Sequence, residues 1–423
     1  MNLLDLLFSN VGYNTRVVTT GVTLLGIAAG VVGTFTFLRR RSLLSDALSH
    51  ATLPGICIAF LLAVWIGAPA RSLPLLLSGA AISGVLGLLS VQWISRHTRL
   101  NEDAAIAIVL SAFFGLGVVM LTVVQSVESG SQAGLGSFIM GQSAAMSASE
   151  AWAIGLLALV AILISWAFFK ELQLYSFDAD FAQGLGWSVT KLDLLVAGLT
   201  VFVTVIGLQA VGLILVVALL IIPPAAARFW SQKLKPMIVL SGFFGGVSAF
   251  AGAQLSAIFP DLPTGAVIVI CAGVLFLSSL LFAPQRGIVA AMLRRLNVVL
   301  NLQAKRYLIA LLVYEEATPR ASPPDGSSVE RSSVQHSPLT ISPPYRRLIQ
   351  RQLAARQLVR HGQLTTKGRE QAEFARQNLA LWEEYLWASQ ESFPDNYQWG
   401  IDDIHAALSA ETVALLKANL QTR

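Results

Sequence analysis

Charge is scarce in this chain: Asp, Glu, Lys and Arg together make up 13% of 423 residues, while 55% are hydrophobic. An ordinary soluble domain carries about twice that charged fraction. A wholly water-soluble fold is therefore excluded for most of the chain. Cysteine is scarcer still. Cys57 and Cys271 are the only two, both inside apolar runs, so neither a disulfide framework nor a cysteine zinc cluster can be drawn, and both read as small apolar side chains. No Gly-x-x-x-x-Gly-Lys-Ser/Thr phosphate loop occurs, so ATP hydrolysis through that motif must come from another polypeptide. Met1 to Asn14 contains Asp5 and no Lys or Arg. The positive n-region of a cleaved signal peptide is missing, and the first span is expected to be retained.

The charge that is present is unevenly placed. Of 29 Lys and Arg, 12 precede Ala283 and 17 follow it, which implies two solvents, with a membrane part of roughly 285 residues and a tail of roughly 135. Residues 1–285 are expected to form a transmembrane domain. Residues 286–344 read as an exit helix followed by a Pro/Ser-rich linker, and 345–423 as a small cytoplasmic domain. The basic pI near 9.4 raises nucleic acid as a partner. Before Ala283, however, the positive charge sits at span ends, where the anionic inner leaflet accounts for it, and nucleic acid is not needed.

Apolar stretches long enough to cross about 30 Å of hydrocarbon as helix run from Thr15 to Leu38, Ala47 to Ile66, Leu73 to Ile94, Ala104 to Val124 and Trp152 to Phe169. Four more run from Leu192 to Leu208, Ala210 to Ala227, Met237 to Ile258 and Gly265 to Phe282. The pair meeting at Gly207 to Gly212 could equally be one broken helix. Placing Arg39 to Arg41 in the cytoplasm puts Arg96, Arg99, Lys170, Lys191, Arg228, Lys233 and Lys235 there too, and leaves only Arg16 and Arg71 outside. The basic residues thus orient the N-terminus outward and, with nine spans, the C-terminus inward. Val127 to Glu150 lacks Lys and Arg and reads as a long external connection. Beyond Phe282 a helical pattern covers about Gly287 to Glu316, Ala317 to Pro344 is rich in Pro and Ser, and helical spacing from Tyr345 to about Leu386 flanks a strand-turn signal at Gly362 to Thr366.

Two segments carry candidate chemistry. Asp46 and His50 are four apart, so on a helix both leave one face. A hard carboxylate oxygen with a borderline imidazole nitrogen suits Mn²⁺, Fe²⁺ or Zn²⁺ better than an organic solute. Pro54 removes the hydrogen bond that would occupy the His50 carbonyl. The alternative is structural: Ser45 or Asp46 caps the helix and His50 is an internally bonded polar residue. The second segment, Asp178 to Gly186, places Asp180, Ala182 and Gly186 so as to form a short helix with a close-packing face and a turn at its end. It reads either as a docking helix for a partner or as a simple connector. Gln125, Glu128, Gln209, Gln254 and Asp261 read as interfacial or packing groups.

With these residues in view, the chain resembles the ABC transporter permeases for manganese, zinc and iron uptake. Four stretches carry the resemblance: Ser42 to Ala51, with Ser45 where the family usually has Gly; Glu102 to Val109; Val211 to Ala227, with Leu219-Leu220-Ile221-Ile222-Pro223; and Leu262 to Val269. They occur in the family's order within residues 15 to 285. The resemblance implies an all-α polytopic membrane protein, the permease of a type II ABC importer. In that architecture two permeases sit on two ATPase subunits and are fed by an external metal-binding lipoprotein. No permanently bound cofactor is implied; the divalent metal ion is cargo. By the same resemblance Asp46 and His50 are metal-pathway residues, and Asp180, Ala182 and Gly186 belong to the ATPase-coupling loop.

The tail resembles a different family. Leu364 to Ala372, followed by Leu381-Trp382-Glu383-Glu384-Tyr385-Leu386, is similar to the winged-helix and linker segment of iron-dependent-repressor-type metalloregulators. A winged-helix-like cytoplasmic module is the expectation. Where those regulators place a metal-binding His before Leu-Trp-Glu, this chain has Leu379, leaving Glu383 and His405 as candidate ligands. Two rival functions remain from the sequence: an ion-coupled secondary metal transporter, opposed by the shortage of acids near the predicted pathway, and a membrane-tethered metal-responsive regulator acting through the tail.

Overall fold

In hydrocarbon every backbone N–H and C=O must find its partner within the protein, so an apolar chain of this kind folds as helices. The structure, a computed structural model, describes residues 13–39, 41–67, 73–126, 146–259, 262–317, 346–360, 362–389 and 404–422. The expected external connection lies outside the described residues up to 145, as does the linker from 318 onward. Glu128, Asp261, Arg71 and the residues before Tyr13 also fall outside. The chain divides into two units, Met1–Ala290 and Ala291–Arg423.

The first unit is helical throughout its described residues: α1 Tyr13–Leu38, α2 Ser42–Ile66, α3 Leu73–His97, α4 Glu102–Ser126, α5 Ala148–Ala167, α6 Phe169–Phe177, α7 Ala179–Gly184, α8 Val189–Val211, α9 Leu213–Trp230, α10 Leu234–Ile258 and α11 Thr264–Phe282. Each expected span is present, mostly longer at its ends. The α5 start is an example: Ser147 Oγ accepts from the Glu150 N–H and Glu150 Oε2 accepts from the Ser147 N–H at 2.8 Å, a capping box that satisfies two orphan donors. The ambiguous pair is two helices. Gly212, at φ +82° and ψ 170°, is the single residue between α8 and α9, a conformation open to glycine and costly for side chains.

Nine described helices are long and apolar enough to cross a membrane. Eight coincide with expected spans. The ninth is α12, Ile288–Ala317, while α9 is shorter. At 1.5 Å per residue the 18 residues of α9 still reach about 27 Å, and Leu215, Val216, Leu219 and Leu220 are buried. The α12 helix instead carries Arg294, Arg295, Lys305, Arg306, Glu315 and Glu316, a load unsuited to hydrocarbon, so we count α9 as a span and α12 as part of the tail.

Lipid tails are as apolar as leucine, so helices in a membrane associate by close packing. A Cβ on Gly55 of α2 would lie 2.0 Å from the Gly79 carbonyl oxygen of α3, and one on Gly79 would lie 2.4 Å from that of Gly55. The same mutual exclusion joins Gly26 of α1 to Gly245 of α10. Outward faces carry Trp65, Trp93, Trp152 and Trp166 at the ends of α2, α3, α5 and α5 again, the placement of an aromatic belt.

The second unit is small. In it α12 packs Ala304, Leu308 and Leu312 against Ile349 and Leu353 of α13 (Arg346–Ala355). Strands β1 (Val359–Arg360) and β2 (Gln363–Leu364) pair antiparallel, Val359 opposite Leu364. The long α14 (Thr366–Ser389) then buries Leu381 and Trp382 with Ile404 of α15 (Ile404–Ala407) and Val413 and Leu416 of α16 (Ala410–Thr422). Asn378 Oδ1 accepts the Ile404 N–H at 2.9 Å.

Candidate functional site

Helix α2 begins at Ser42, preceded by Arg41, which makes no side-chain capping bond. Asp46 therefore lies in the second helical turn and caps nothing, and the Ser45 hydroxyl is buried without a partner, which removes the capping alternative. His50 Nε2 stands 3.5 Å from Asp46 Oδ1, and its Nδ1 is buried without a hydrogen-bond partner. An internally bonded histidine would not leave that nitrogen idle. The neighbouring hydroxyls are occupied: Ser49 Oγ donates to the Ser45 carbonyl at 2.7 Å and Thr52 Oγ1 to the Ser49 carbonyl at 2.6 Å. On this stretch of α2, then, His50 Nδ1 and the Ser45 hydroxyl are left without partners, and Asp46 and His50 face each other.

Helix α4 supplies the wall. The Phe114 ring meets His50 edge-on with centroids 4.8 Å apart. One turn on, a Cβ at Gly117 would fall 2.8 Å from Leu53 Cβ and 3.4 Å from Pro54 Cδ, so the absence of a side chain there lets α4 close on the proline. The helix runs unbroken through Pro54, and the missing N–H leaves the His50 carbonyl without its helical donor. Carboxylate, imidazole and free carbonyl give mixed oxygen and nitrogen chemistry suited to a first-row divalent ion. Among the described residues no group of three or more His, Cys, Asp or Glu could hold a metal. Asp46 and His50 are thus two side chains without a third such group beside them, and Glu383 and His405 of the tail belong to no such group either.

The second predicted segment is α7. Asp178, not Asp180, is its cap: Asp178 Oδ1 accepts the Phe181 N–H at 2.9 Å. Ala182 is fully buried, and its carbonyl accepts the Trp187 N–H at 3.0 Å. Gly186 ends the turn at φ +88°, with open space where a side chain would be. Phe181, Leu185 and Trp187 are exposed around it. A small knob results, apolar in its outer side chains and anchored through Ala182.

A third group escaped the sequence reading. Arg41 pairs with Glu102 at 2.6 Å and with Asp193, and the Tyr175 hydroxyl donates to Asp193 Oδ1 at 2.6 Å. Arg39 stacks over the Tyr175 ring at 4.4 Å. Asp193 is 9% exposed, an acid within a span that the sequence reading passed over. Burial pulls the Arg41 guanidinium downward, but Asp193, Tyr175 and Glu102 outweigh it and hold it above its ordinary range. Burial, reinforced by the bond to Asp193, pushes the Tyr175 phenol upward. Both therefore keep their protons. The signal available in advance was Asp193 itself, an acid within an apolar run.

Residues 13–283 match the ABC 3 transport family. The chain is 43% identical over 303 residues to the manganese transport system membrane protein MntC of Bacillus subtilis, covering 72% of this chain and 68% of that one. It is 41% identical over 300 residues to the zinc transport system membrane protein TroC of Treponema pallidum, covering 71% and 98%. The fold resembles the solved PsaBC from Streptococcus pneumoniae in complex with Fab, with a TM-score of 0.56 and 31% identity over 65% of this chain and 94% of that one.

Proposed function

The chain belongs to the ABC 3 transport family, and from that premise we propose that Asp46 and His50 line the path of a divalent transition metal ion and that α7 meets an ATPase subunit. The protein is a multi-pass permease component of a metal ABC transport system. Its cargo is Mn²⁺, Zn²⁺ or Fe²⁺, moved inward. One carboxylate and one imidazole do not separate these three.

The observation that carries the reading is the Asp46–His50 pair, an ionisable couple inside a span whose second ring nitrogen is idle. Ionisable groups in a span are functional by default, because structure alone does not repay their cost. A desolvated divalent ion needs at least one compensating anion and several neutral donors. Asp46 supplies the anion, His50 one donor, and a second permease copy presenting the same pair would double both. ATP hydrolysis falls to a separate ATPase subunit, since no phosphate loop lies in these residues. An external metal-binding lipoprotein delivers the ion. The basic span ends orient the N-terminus outward and the tail to the cytoplasm of the bacterial plasma membrane. The tail, a helix, hairpin and helix with their own cores, acts as a winged-helix-like module that tunes transport.

The deciding experiment reconstitutes the permease with its ATPase in proteoliposomes and follows ATP-dependent entry of Mn²⁺, Zn²⁺ and Fe²⁺. Loss of entry in Asp46→Ala and His50→Ala with the complex still assembled supports the path. Wild-type entry in both variants sends the search to another route.

A further inference from the structure

Helix α7 and the metal pair lie on different parts of the chain, and movement at one must reach the other. The Arg41 cluster spans that gap. Tyr175 sits on α6, before α7, and Asp193 on α8, after it, so their 2.6 Å hydrogen bond closes the whole α7 segment into a loop with a fixed neck. Arg41, five residues ahead of Asp46, reaches into that neck and pairs with Asp193. Its other partner, Glu102, opens α4, the helix whose Phe114 walls His50. One guanidinium thus ties the neck of the α7 loop to both helices that form the metal pair's surroundings.

The surroundings leave this tie room to change partners. A cavity of about 300 Å³ adjoins it, lined by Arg39, Arg41, Gln92, Arg96, Glu102 and Asp193 among others. Gln92 Nε2 and Arg39 Nε are buried there or nearby without hydrogen-bond partners. The cavity is partly open rather than enclosed, and the side chains around it have room to move. Donors without acceptors beside a cavity are what a second arrangement of the same groups would use.

We infer that Arg41, Asp193 and Tyr175 are positioning residues for transport, forming the link by which displacement of α7 moves the N-terminal turns of α2 and α4 and so opens or closes the Asp46–His50 site. Arg41 suits the role because its planar fork holds two carboxylates at once, which a lysine's point charge does less well. The link rests on the reading of α7 as the ATPase-contacting helix.

The test uses the permease reconstituted with its ATPase partner in proteoliposomes, with Mn²⁺ as probe, and reads Mn²⁺ ions moved per ATP hydrolysed. Arg41→Gln and Asp193→Asn are expected to copurify with the ATPase and hydrolyse ATP while the ratio falls by about tenfold or more, the pair being only partly buried. Arg41→Lys should recover part of the ratio, and Tyr175→Phe, which removes one hydroxyl and keeps the ring, should lower it about twofold to fivefold. An unchanged ratio in Arg41→Gln and Asp193→Asn overturns the link. Uptake and hydrolysis falling in parallel also overturns it, since that marks structural support only. If Arg41→Gln fails to assemble, Tyr175→Phe decides, and a wild-type ratio there is fatal to the proposal. Gly186→Trp separates the premise from the link: it should lose the ATPase itself, whereas the cluster variants keep it and lose only the ratio.

Discussion

Phe114 stands edge-on to His50, ring centroids 4.8 Å apart, so the histidine's orientation is set by a helix other than its own. Replacing Phe114 with Ala frees the imidazole to turn and forfeits an aromatic contact of about 0.5–1.5 kcal/mol. Metal entry should drop severalfold, with Phe114→Leu closer to wild type. Equal entry in Phe114→Ala and wild type, measured as initial rates in proteoliposomes, would show that His50 needs no such wall.

Asp46→Ala and His50→Ala should each cut entry by about tenfold or more, on the scale of a lost charged partner in a desolvated site. Pro54→Ala should be milder. It restores the helix hydrogen bond and withdraws the His50 carbonyl but leaves both side chains in place. The ranking of the three initial rates is the measurement; a Pro54→Ala defect deeper than the other two would make the carbonyl, not the side chains, the main ligand.

Spans and the Asp46–His50 pair were legible because both are local: a run of apolar residues long enough for a bilayer, and two side chains one helical turn apart. The Arg41 cluster was not legible. It joins positions 41, 102, 175 and 193 on four segments, and no spacing rule connects them before the helices pack. Which acid caps α7 was not legible for a related reason, since Asp178 and Asp180 are equally acidic and only the backbone direction at 178 makes one of them accept from Phe181. Helix α12 is a different case: its length and apolar content admit it as a span, its charges argue against that, and its buried face against α13 shows where its apolar side goes.

The tail should be dispensable for the path itself. Its apolar residues close two cores of their own, and its ion pairs, Arg369 with Glu315 at 2.8 Å and Arg376 with Glu316 at 3.0 Å, are surface pairs of the kind that contributes little. Removing residues 291–423 should leave an inserted permease with part of its metal entry. Abolished entry in a correctly inserted truncation would put the tail on the transport cycle. Trp382→Ala should unfold the tail core without deletion, costing about 3–5 kcal/mol, and proteolysis of the full chain should then cut within α14 while the membrane unit stays intact.

The Gly55–Gly79 crossing offers the sharpest separation of packing from the proposed path, because it lies on the helix of Asp46 and His50 yet involves neither. Each glycine's missing side chain is filled by the other's backbone carbonyl, at 2.0 and 2.4 Å from an ideal Cβ. Even alanine cannot enter without pushing α2 and α3 apart, since the obstacle is backbone and has no rotamer to change. Helices that associate through close backbone approach lose that contact when forced open, and no hydrophobic gain in lipid compensates. Gly55→Leu should therefore displace α2 as a body, lowering both the thermal stability of the purified permease and its metal entry. Asp46→Ala should lower entry alone. If Gly55→Leu leaves stability unchanged and still abolishes entry, the crossing bears on the path directly and is not a packing contact alone.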